Sequence, residues 1–294
     1  MVWNFDHKIL IQGIDQTKAL TYLQEISLDN SNIIAGVPDE YIGKTIENIP
    51  IFDLVTEAIT TYPEINTTII FSDAYNVLDS GYEAIDAGIK QIIIHTEKIP
   101  PLDLLKLFNQ AKKKNIKILG PSQGGILIPE KQSSGIQNAH LYRKGNIGII
   151  NYGESIISQE LALFLQENNL GESIIINVGH DNFTDIDWHL WFTKLSKDRL
   201  TKVILVTIND FSNIDKDAFI SGINSVANKP IIIYNLDPNN LKSSINNGQA
   251  KIITDQIPQH LNRVFSLQLI TESLLEKGIK ITNNYQEIPT LINS

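Results

Sequence analysis

The sequence predicts an α/β protein made of two doubly wound units. Three observations predict it. Short Ile/Val-rich runs recur along the chain without alternating polar residues, as strands buried on both faces read. Between these runs lie stretches whose apolar residues follow the helical period. The 294 residues exceed one average domain of roughly 100–200 residues, so the strand–helix alternation runs through twice.

In chain order, the first half offers strands at 8–12, 32–37, 67–71, 91–96 and 116–119. The second half offers 146–150, 173–178, 202–207 and 230–234, with a late one near 279–282. After the first strand, Ala19, Tyr22, Leu23 and Ile26 follow i, i+3, i+4, i+7 and predict an amphipathic helix. Ile157, Leu161, Phe164 and Leu165 predict another, stopped near Asn168-Asn169-Leu170-Gly171 by its glycine. The cluster Gly120-Pro121-Ser122-Gln123-Gly124-Gly125 and the polar, turn-rich stretch 130–145 mark the boundary between units. The division expected is 1–121 and 122–294.

Composition narrows the function. With 24 basic against 33 acidic side chains the net charge is −9, and no basic footprint is present for nucleic acid. The absence of Cys excludes disulfide scaffolds, thiol nucleophiles and Cys-ligated zinc. No apolar run approaches the ~20 residues of a membrane span, and MVWNFDHK does not read as a secretory signal. A cytoplasmic protein is expected.

Generic motifs add little. The first strand leads into Gly13-Ile14-Asp15-Gln16-Thr17-Lys18-Ala19, where a doubly wound unit meets a nucleotide. A dinucleotide fingerprint needs three glycines there, and only Gly13 stands. GxxxxGK[ST] and HExxH are absent, and the six histidines are scattered. His189, in Asp187-Trp188-His189-Leu190-Trp191, reads as a helix-face residue.

The order of segments is more telling. Ile9-Leu10-Ile11-Gln12-Gly13-Ile14 is followed by Glu83-Ala84-Ile85-Asp86-Ala87-Gly88-Ile89, then Thr96-Glu97-Lys98-Ile99-Pro100-Pro101-Leu102-Asp103 and Gly120-Pro121. Lys144-Gly145-Asn146-Ile147-Gly148-Ile149-Ile150 and Gly179-His180-Asp181 complete the set. Together they resemble, essentially end to end, the α subunit of succinyl-CoA synthetase, of the nucleoside-diphosphate-forming acyl-CoA ligases. The resemblance implies an N-terminal Rossmann-like CoA-binding domain and a C-terminal flavodoxin-like ligase domain. It implies an ATP-grasp β-like subunit as partner, and a histidine that carries phosphate between nucleotide and acyl sites.

The residues that would do this chemistry depart from the family's pattern. The phosphohistidine loop aligns with Gly248-Gln249-Ala250-Lys251-Ile252-Ile253, which puts Gln249 at the histidine. An amide nitrogen is not nucleophilic at neutral pH. The next histidine downstream, His260, reads as the start of a helix bearing Leu261, Val264 and Phe265. The acidic residue that steadies the histidine aligns with Ile208, with Asn209 and Asp210 one and two residues on.

The phosphate loop aligns with Gly153-Glu154-Ser155. Helix N-termini favour anions, and a carboxylate at Glu154 would occupy or oppose that position. Two like charges about 4 Å apart repel by about 4 kcal/mol at an effective dielectric near 20. Glu154 also reads simply as a favourable first-turn acid.

On the CoA side, Gly13 and Lys18 remain as contacts in a loop without the family's other glycines. Pro38-Asp39-Glu40-Tyr41-Ile42-Gly43-Lys44 puts Asp39 and Glu40 where phosphates would lie, with Lys44 either a residual contact or an ordinary solvated lysine. Ser72-Asp73-Ala74-Tyr75-Asn76 stands for a Pro-rich loop, and Ser122-Gln123-Gly124-Gly125 for an Asn-Cys-Pro-Gly-like turn.

The expectation is a degenerate α-subunit-like partner of an ATP-grasp subunit, with CoA binding weakened and no metal. The alternatives are a redirected ATP-dependent carboxylate ligase with a non-CoA acceptor, and a still active acyl-CoA ligase.

Overall fold

The structure, a computed structural model, describes residues 3–26, 32–40, 44–179, 186–209, 214–236 and 274–294. The first half runs β1 (Ile9–Gln12), α1 (Thr17–Glu25), β2 (Ile33–Val37), β3 (Thr45–Ile46), β4 (Ile49–Pro50), α2 (Val55–Thr61), β5 (Thr67–Ile70), α3 (Val77–Asp86), β6 (Gln91–Ile94), α4 (Pro101–Lys113) and β7 (Lys117–Leu119). Its main sheet is wholly parallel, ordered β2-β1-β5-β6-β7. Ile51 adds a parallel bridge to Gly36 on the outer side of β2, where Phe52 N–H donates to Gly36 O at 2.9 Å. Counting that edge, the spatial order is the Rossmann 3-2-1-4-5-6, and the order reverses between β1 and β5.

The second half runs β8 (Gly125–Ile128), β9 (Gln132–Ser134), β10 (Lys144–Tyr152), α5 (Ser155–Glu167), β11 (Glu172–Asn177), α6 (Trp188–Lys197), β12 (Val203–Ile208), α7 (Lys216–Asn224), β13 (Ile231–Asn235), β14 (Lys280–Thr282) and α8 (Ile288–Asn293). The sheet is ordered β14-β13-β12-β10-β11-β8-β9. Its five parallel strands have the flavodoxin order 2-1-3-4-5. The β8–β9 hairpin extends it antiparallel.

The unbroken apolar runs have a direct cause: alternate residues of each strand serve different cores. In the first sheet Ile9, Ile11, Ile69 and Ile93 face α1, while Leu10, Ile70, Ile92 and Ile94 pack against residues of α2, α3 and α4. In the second, Ile204, Val206 and Ile208 join Trp188, Phe192 and Phe219, whereas Val203 and Leu205 join Leu161 and Leu165 of α5. The α1 face of one sheet and the α6–α7 face of the other belong to one continuous core.

A strap from the N-terminus closes that core. Trp3 is fully buried, its ring 5.2 Å from Trp191, and its Nε1–H donates to His7 Nε2 at 3.0 Å. His7 Nδ1 lies 2.6 Å from Ser134 Oγ. With Nε2 accepting from Trp3, the Nδ1 proton goes to the serine.

Two expectations are corrected here. The stretch 130–145 read as turns contains strand β9 and the first residues of β10. Gln-Ser-Ser is an unpromising strand sequence, but its polar groups find buried partners far away in sequence. Tyr22 OH donates to Ser133 O at 3.3 Å and accepts from Gly135 N–H at 3.0 Å. The stop of α5 falls to Asn169, at φ 58°, rather than to Gly171. Gly171 serves a close approach instead, since a Cβ there would lie 2.5 Å from Arg143 O.

Candidate functional site

Ligands of open α/β sheets bind outside the carboxyl ends of the strands, at the point where strand order reverses. In the first unit this is the space beyond β1, β2 and β5. Gly13 ends β1 at φ +69°, and a Cβ on it would lie 2.4 Å from Ser72 N. Its lack of a side chain is therefore used by the neighbouring strand-end loop. Gly13 N–H donates to Val37 O at 2.8 Å.

Backbone donors at this mouth are taken by the chain's own acids. Asp15 accepts from Asp39 N–H at 2.7 Å and from Glu40 N–H at 3.0 Å. Asp39 in turn accepts from Asp73 N–H at 3.0 Å and from the Gln16 amide at 3.1 Å. Three loops, following three strands, are thus tied by two carboxylates. Lys18 turns to Glu97, with Nζ 3.6 Å from its carboxylate. Lys44 is exposed, and its carbonyl accepts from Ile51 N–H.

The reversal in the second unit lies between β10 and β12. Gly153 and Glu154 lead from β10 into α5, with Glu154 as exposed N-cap residue whose side chain makes no capping bond. Of the positions offered after β12, Ile208 is fully buried, whereas Asn209 adjoins the loop: a Cβ on Gly153 would lie 3.3 Å from Asn209 Cγ. Beneath these strand ends, Asn151 Nδ2 donates to Asn177 Oδ1 at 3.2 Å and Thr207 donates to Asn151. Asp210, His180, His260 and Gln249 lie outside the described residues.

The two units meet in a cleft of about 450 Å³, lined by Glu97, Gln123, Gln137, Asn138, Glu154, Ser155, Ile156 and Gln159. A hydrogen-bond chain crosses it. Ser155 Oγ donates to Gln123 Oε1, and Gln123 Nε2 donates to Glu97 Oε1 at 2.7 Å. Burial works against the Glu97 carboxylate, but the Gln123 amide and the Lys18 ammonium hold it below the usual carboxylate range. Nearby His95 stacks on Phe71 at 4.5 Å, and among the described residues its Nδ1 has no hydrogen-bond partner. Burial, aided by the Lys18 charge and opposed by Glu97, pushes its imidazole down to about 4, so it is neutral.

A second cleft, of about 460 Å³, lies between α4 and the start of α6, crossed by the Lys117–Asp187 ion pair at 2.7 Å. Lys117 begins β7, so this cleft sits at the end of the first sheet opposite its strand-end loops. Among the described residues no group of three or more His, Cys, Asp and Glu side chains is arranged to hold a metal. No described helix is long and apolar enough to cross a membrane.

Sequence reasoning quoted Asp15 and Glu97 only inside longer segments and assigned them no role. A signal existed for the first: an Asp follows each of β1, β2 and β5 by two or three residues, at 15, 39 and 73. The meeting of Glu97 with Gln123 and Ser155 had no local signal.

Comparison with known proteins agrees with the α/β fold. Residues 4–98 match the family model described as a CoA binding domain. The chain is 29% identical over 227 residues to succinate–CoA ligase [ADP-forming] subunit alpha 2 of Archaeoglobus fulgidus, covering 77% of this chain and 78% of that one. It is 28% identical over 233 residues to the corresponding α subunit of Aquifex aeolicus, covering 79% and 75%. Among solved structures, acetyl-coenzyme A synthetase 1 of Ca. Korarchaeum cryptofilum superposes with a TM-score of 0.71 at 16% identity over 95% of this chain. ATP citrate lyase of Methanothrix soehngenii, solved with citrate and coenzyme A, gives 0.73 at 15% over 99%. The present chain spans 59% and 50% of those two chains, and at such identities the likeness concerns the fold. The chain is similar to succinyl-CoA ligase α subunits, and its first unit is of the CoA-binding type.

Proposed function

We propose that this chain is a divergent member of the succinyl-CoA ligase α-subunit family, a cytoplasmic partner of an ATP-grasp subunit that does not hold CoA in the family's manner. One observation carries the reading: the Asp15 carboxylate accepts two backbone N–H groups at the strand-end mouth, and Asp39 accepts a third. A phosphate entering there meets negative charge where it needs donors. One such contact at about 4 Å costs about 4 kcal/mol at an effective dielectric near 20, which is roughly a thousandfold in affinity. The domain match over residues 4–98 supports the type of unit, and the carboxylates at its strand ends support weakened CoA binding. The assignment of Gln249 to the phosphohistidine position rests on the sequence, and it supports loss of the phosphate relay.

Calorimetric titration of the full chain with CoA tests the first part. Dissociation weaker than about 1 mM is expected, and micromolar binding refutes it. Incubation with labelled ATP, with and without an ATP-grasp subunit of a succinyl-CoA ligase, tests the second. Co-elution of the two chains without label on this one is expected. Acid-labile label on this chain refutes the loss of relay, and failure to co-elute refutes the partnership.

A second reading is favoured by the inter-unit cleft. Its lining offers carboxylates and amides, which suit an acceptor other than a thiol carrier. The chain would then position that acceptor in a redirected carboxylate ligase. ATP turnover that depends on a carboxylate and a non-thiol acceptor tests it.

A further inference from the structure

Residues 3–7 are tied to both units. Toward the first, Asn4 N–H donates to Gln91 Oε1 at 2.9 Å, the Gln91 amide donates back to Asn4 O at 3.0 Å, and Asn66 Nδ2 donates to Asp6 O at 2.9 Å. Toward the second, the Trp3 ring packs on Trp191 of α6, and Lys194 of the same helix sits 4.8 Å from the centre of the Phe5 ring. His7 reaches Ser134 of β9. Trp3 is fully buried and His7 only 1% exposed. The strap is a clasp over the seam where the two units share a core.

This clasp fits one protonation state of His7. An indole N–H can only donate, so His7 Nε2 must be bare to accept it at 3.0 Å. Ser134 Oγ then accepts the Nδ1 proton, and also accepts from Gln132 Nε2 at 3.1 Å. An imidazolium carries a proton on both nitrogens. Its Nε2–H would face the Trp3 N–H donor to donor, with a full charge added to a buried site. Of the groups on the elements packed here, Asp6 and the Asn4 backbone favour the cation. Lys194 on α6 opposes it by sign, while Gln132, Ser134 and Gln91 on β9 and β6 are uncharged. Burial outweighs Asp6 and Asn4 and brings the imidazole down to about 4.

We propose that residues 3–7 form an acid-released latch between the two units, opened when His7 takes a proton on Nε2. Its release bares Trp191 and the seam of the shared core. Nothing in the latch depends on which ligand either unit takes.

The closed strap refuses a proton that the open strap accepts, so falling pH favours the open form. With the open imidazole at its ordinary 6.5 and the closed one at about 4, acid multiplies the ratio of open to closed strap by up to about three hundredfold. Hydrogen exchange of the full chain, followed by NMR and corrected for the intrinsic pH dependence of exchange, provides the test. Between about pH 7 and about pH 4 the strap amides and the Trp3 indole N–H are expected to lose protection by about a hundredfold, while the amides of β1 and β12 keep theirs. His7→Gln offers an oxygen to Trp3 and an N–H to Ser134 but does not titrate, so its strap should stay closed over the same interval. Trp3→Phe keeps a ring on Trp191 and removes the opposing N–H, so His7 should titrate at higher pH than in the native chain. That variant and the native chain decide the matter if His7→Gln does not fold. Strap protection that is unchanged by acid, or lost only together with that of β1 and β12, overturns the proposal. So does a His7→Gln strap that opens like the native one, or a His7 midpoint that Trp3→Phe fails to raise.

Discussion

Replacing Glu172 by Gln should stabilise the protein at neutral pH and leave it nearly unchanged in acid. Glu172 opens β11 and is fully buried. One carboxyl oxygen accepts from Arg143 N–H at 3.0 Å, and the other has no partner among the described residues. Burial raises its carboxyl from 4.5 to about 7, with the backbone bonds opposing only in part. Between those values the folded chain keeps a proton that the unfolded chain has released, so stability falls as pH rises through the interval. At about 1.4 kcal/mol per pH unit, the cost reaches about 3 kcal/mol by pH 7 and is constant above it.

Gln keeps the shape and the acceptor for Arg143 and removes the charge. Its stability advantage over the native chain should therefore grow from about zero near pH 4.5 to about 3 kcal/mol near pH 8. The assay is urea unfolding followed by tryptophan fluorescence, read as the difference between the two chains at each pH, which cancels every other titrating group. A difference that stays flat between pH 4.5 and 8 refutes the reasoning, because it means that the buried carboxyl is charged in the fold at no cost.

Two further outcomes follow from burial elsewhere. Trp3→Ala removes a fully buried ring on Trp191 and the bond to His7, and should cost about 3–5 kcal/mol in urea unfolding. A loss below about 1 kcal/mol would mean that the N-terminal strap is not part of the core. Burial lowers the imidazoles of His7 and His95 to about 4, with Asn4 and Asp6 opposing at His7. The unfolded chain then binds protons that the fold refuses, so stability drops as pH falls from about 6.5 to about 4. The opposite slope to that of Glu172 is the signature, and ring-proton NMR showing either histidine titrating above pH 6 contradicts it.

How much of this was legible in the sequence depends on the range over which each feature is decided. Ile204, Val206 and Ile208 alternate with Val203 and Leu205 between two cores, so a single strand displays its double burial locally as an unbroken apolar run. The α1 face was legible for the same reason: Ala19, Tyr22, Leu23 and Ile26 are all buried. On α5 the period was right but the face is turned, with Ser158 and Ala162 buried beside Leu161 and Leu165. Phe164 instead meets the Tyr285 ring at 4.8 Å, a partner more than a hundred residues away that no local pattern could supply. Strand β9 was hidden likewise, since Ser133 and Ser134 are satisfied by Tyr22 and His7. Loop chemistry was partly visible. Asp39 and Glu40 were placed where phosphates would lie, but the capture of their N–H groups by Asp15 is a contact across 24 and 25 residues.

That capture bears on what holds the three strand-end loops together. A backbone donor left without a partner costs about 1–3 kcal/mol where it is buried and little where water reaches it. Here three donors are met by carboxylates at 2.7–3.0 Å. The same hydrogen bonds that a dissociable ligand would make are made permanently, without the entropy cost of recruiting it. The loops are thereby held to one another by bonds within the chain. This favours a surface kept for docking against another subunit over a site kept for turnover. Asp15→Asn separates the two: it removes the charge, keeps one acceptor, and should loosen loops 13–16, 37–40 and 72–76 together in hydrogen exchange. Loosening confined to 13–16 would mean that the three loops are not one unit, and the docking argument would fall with it.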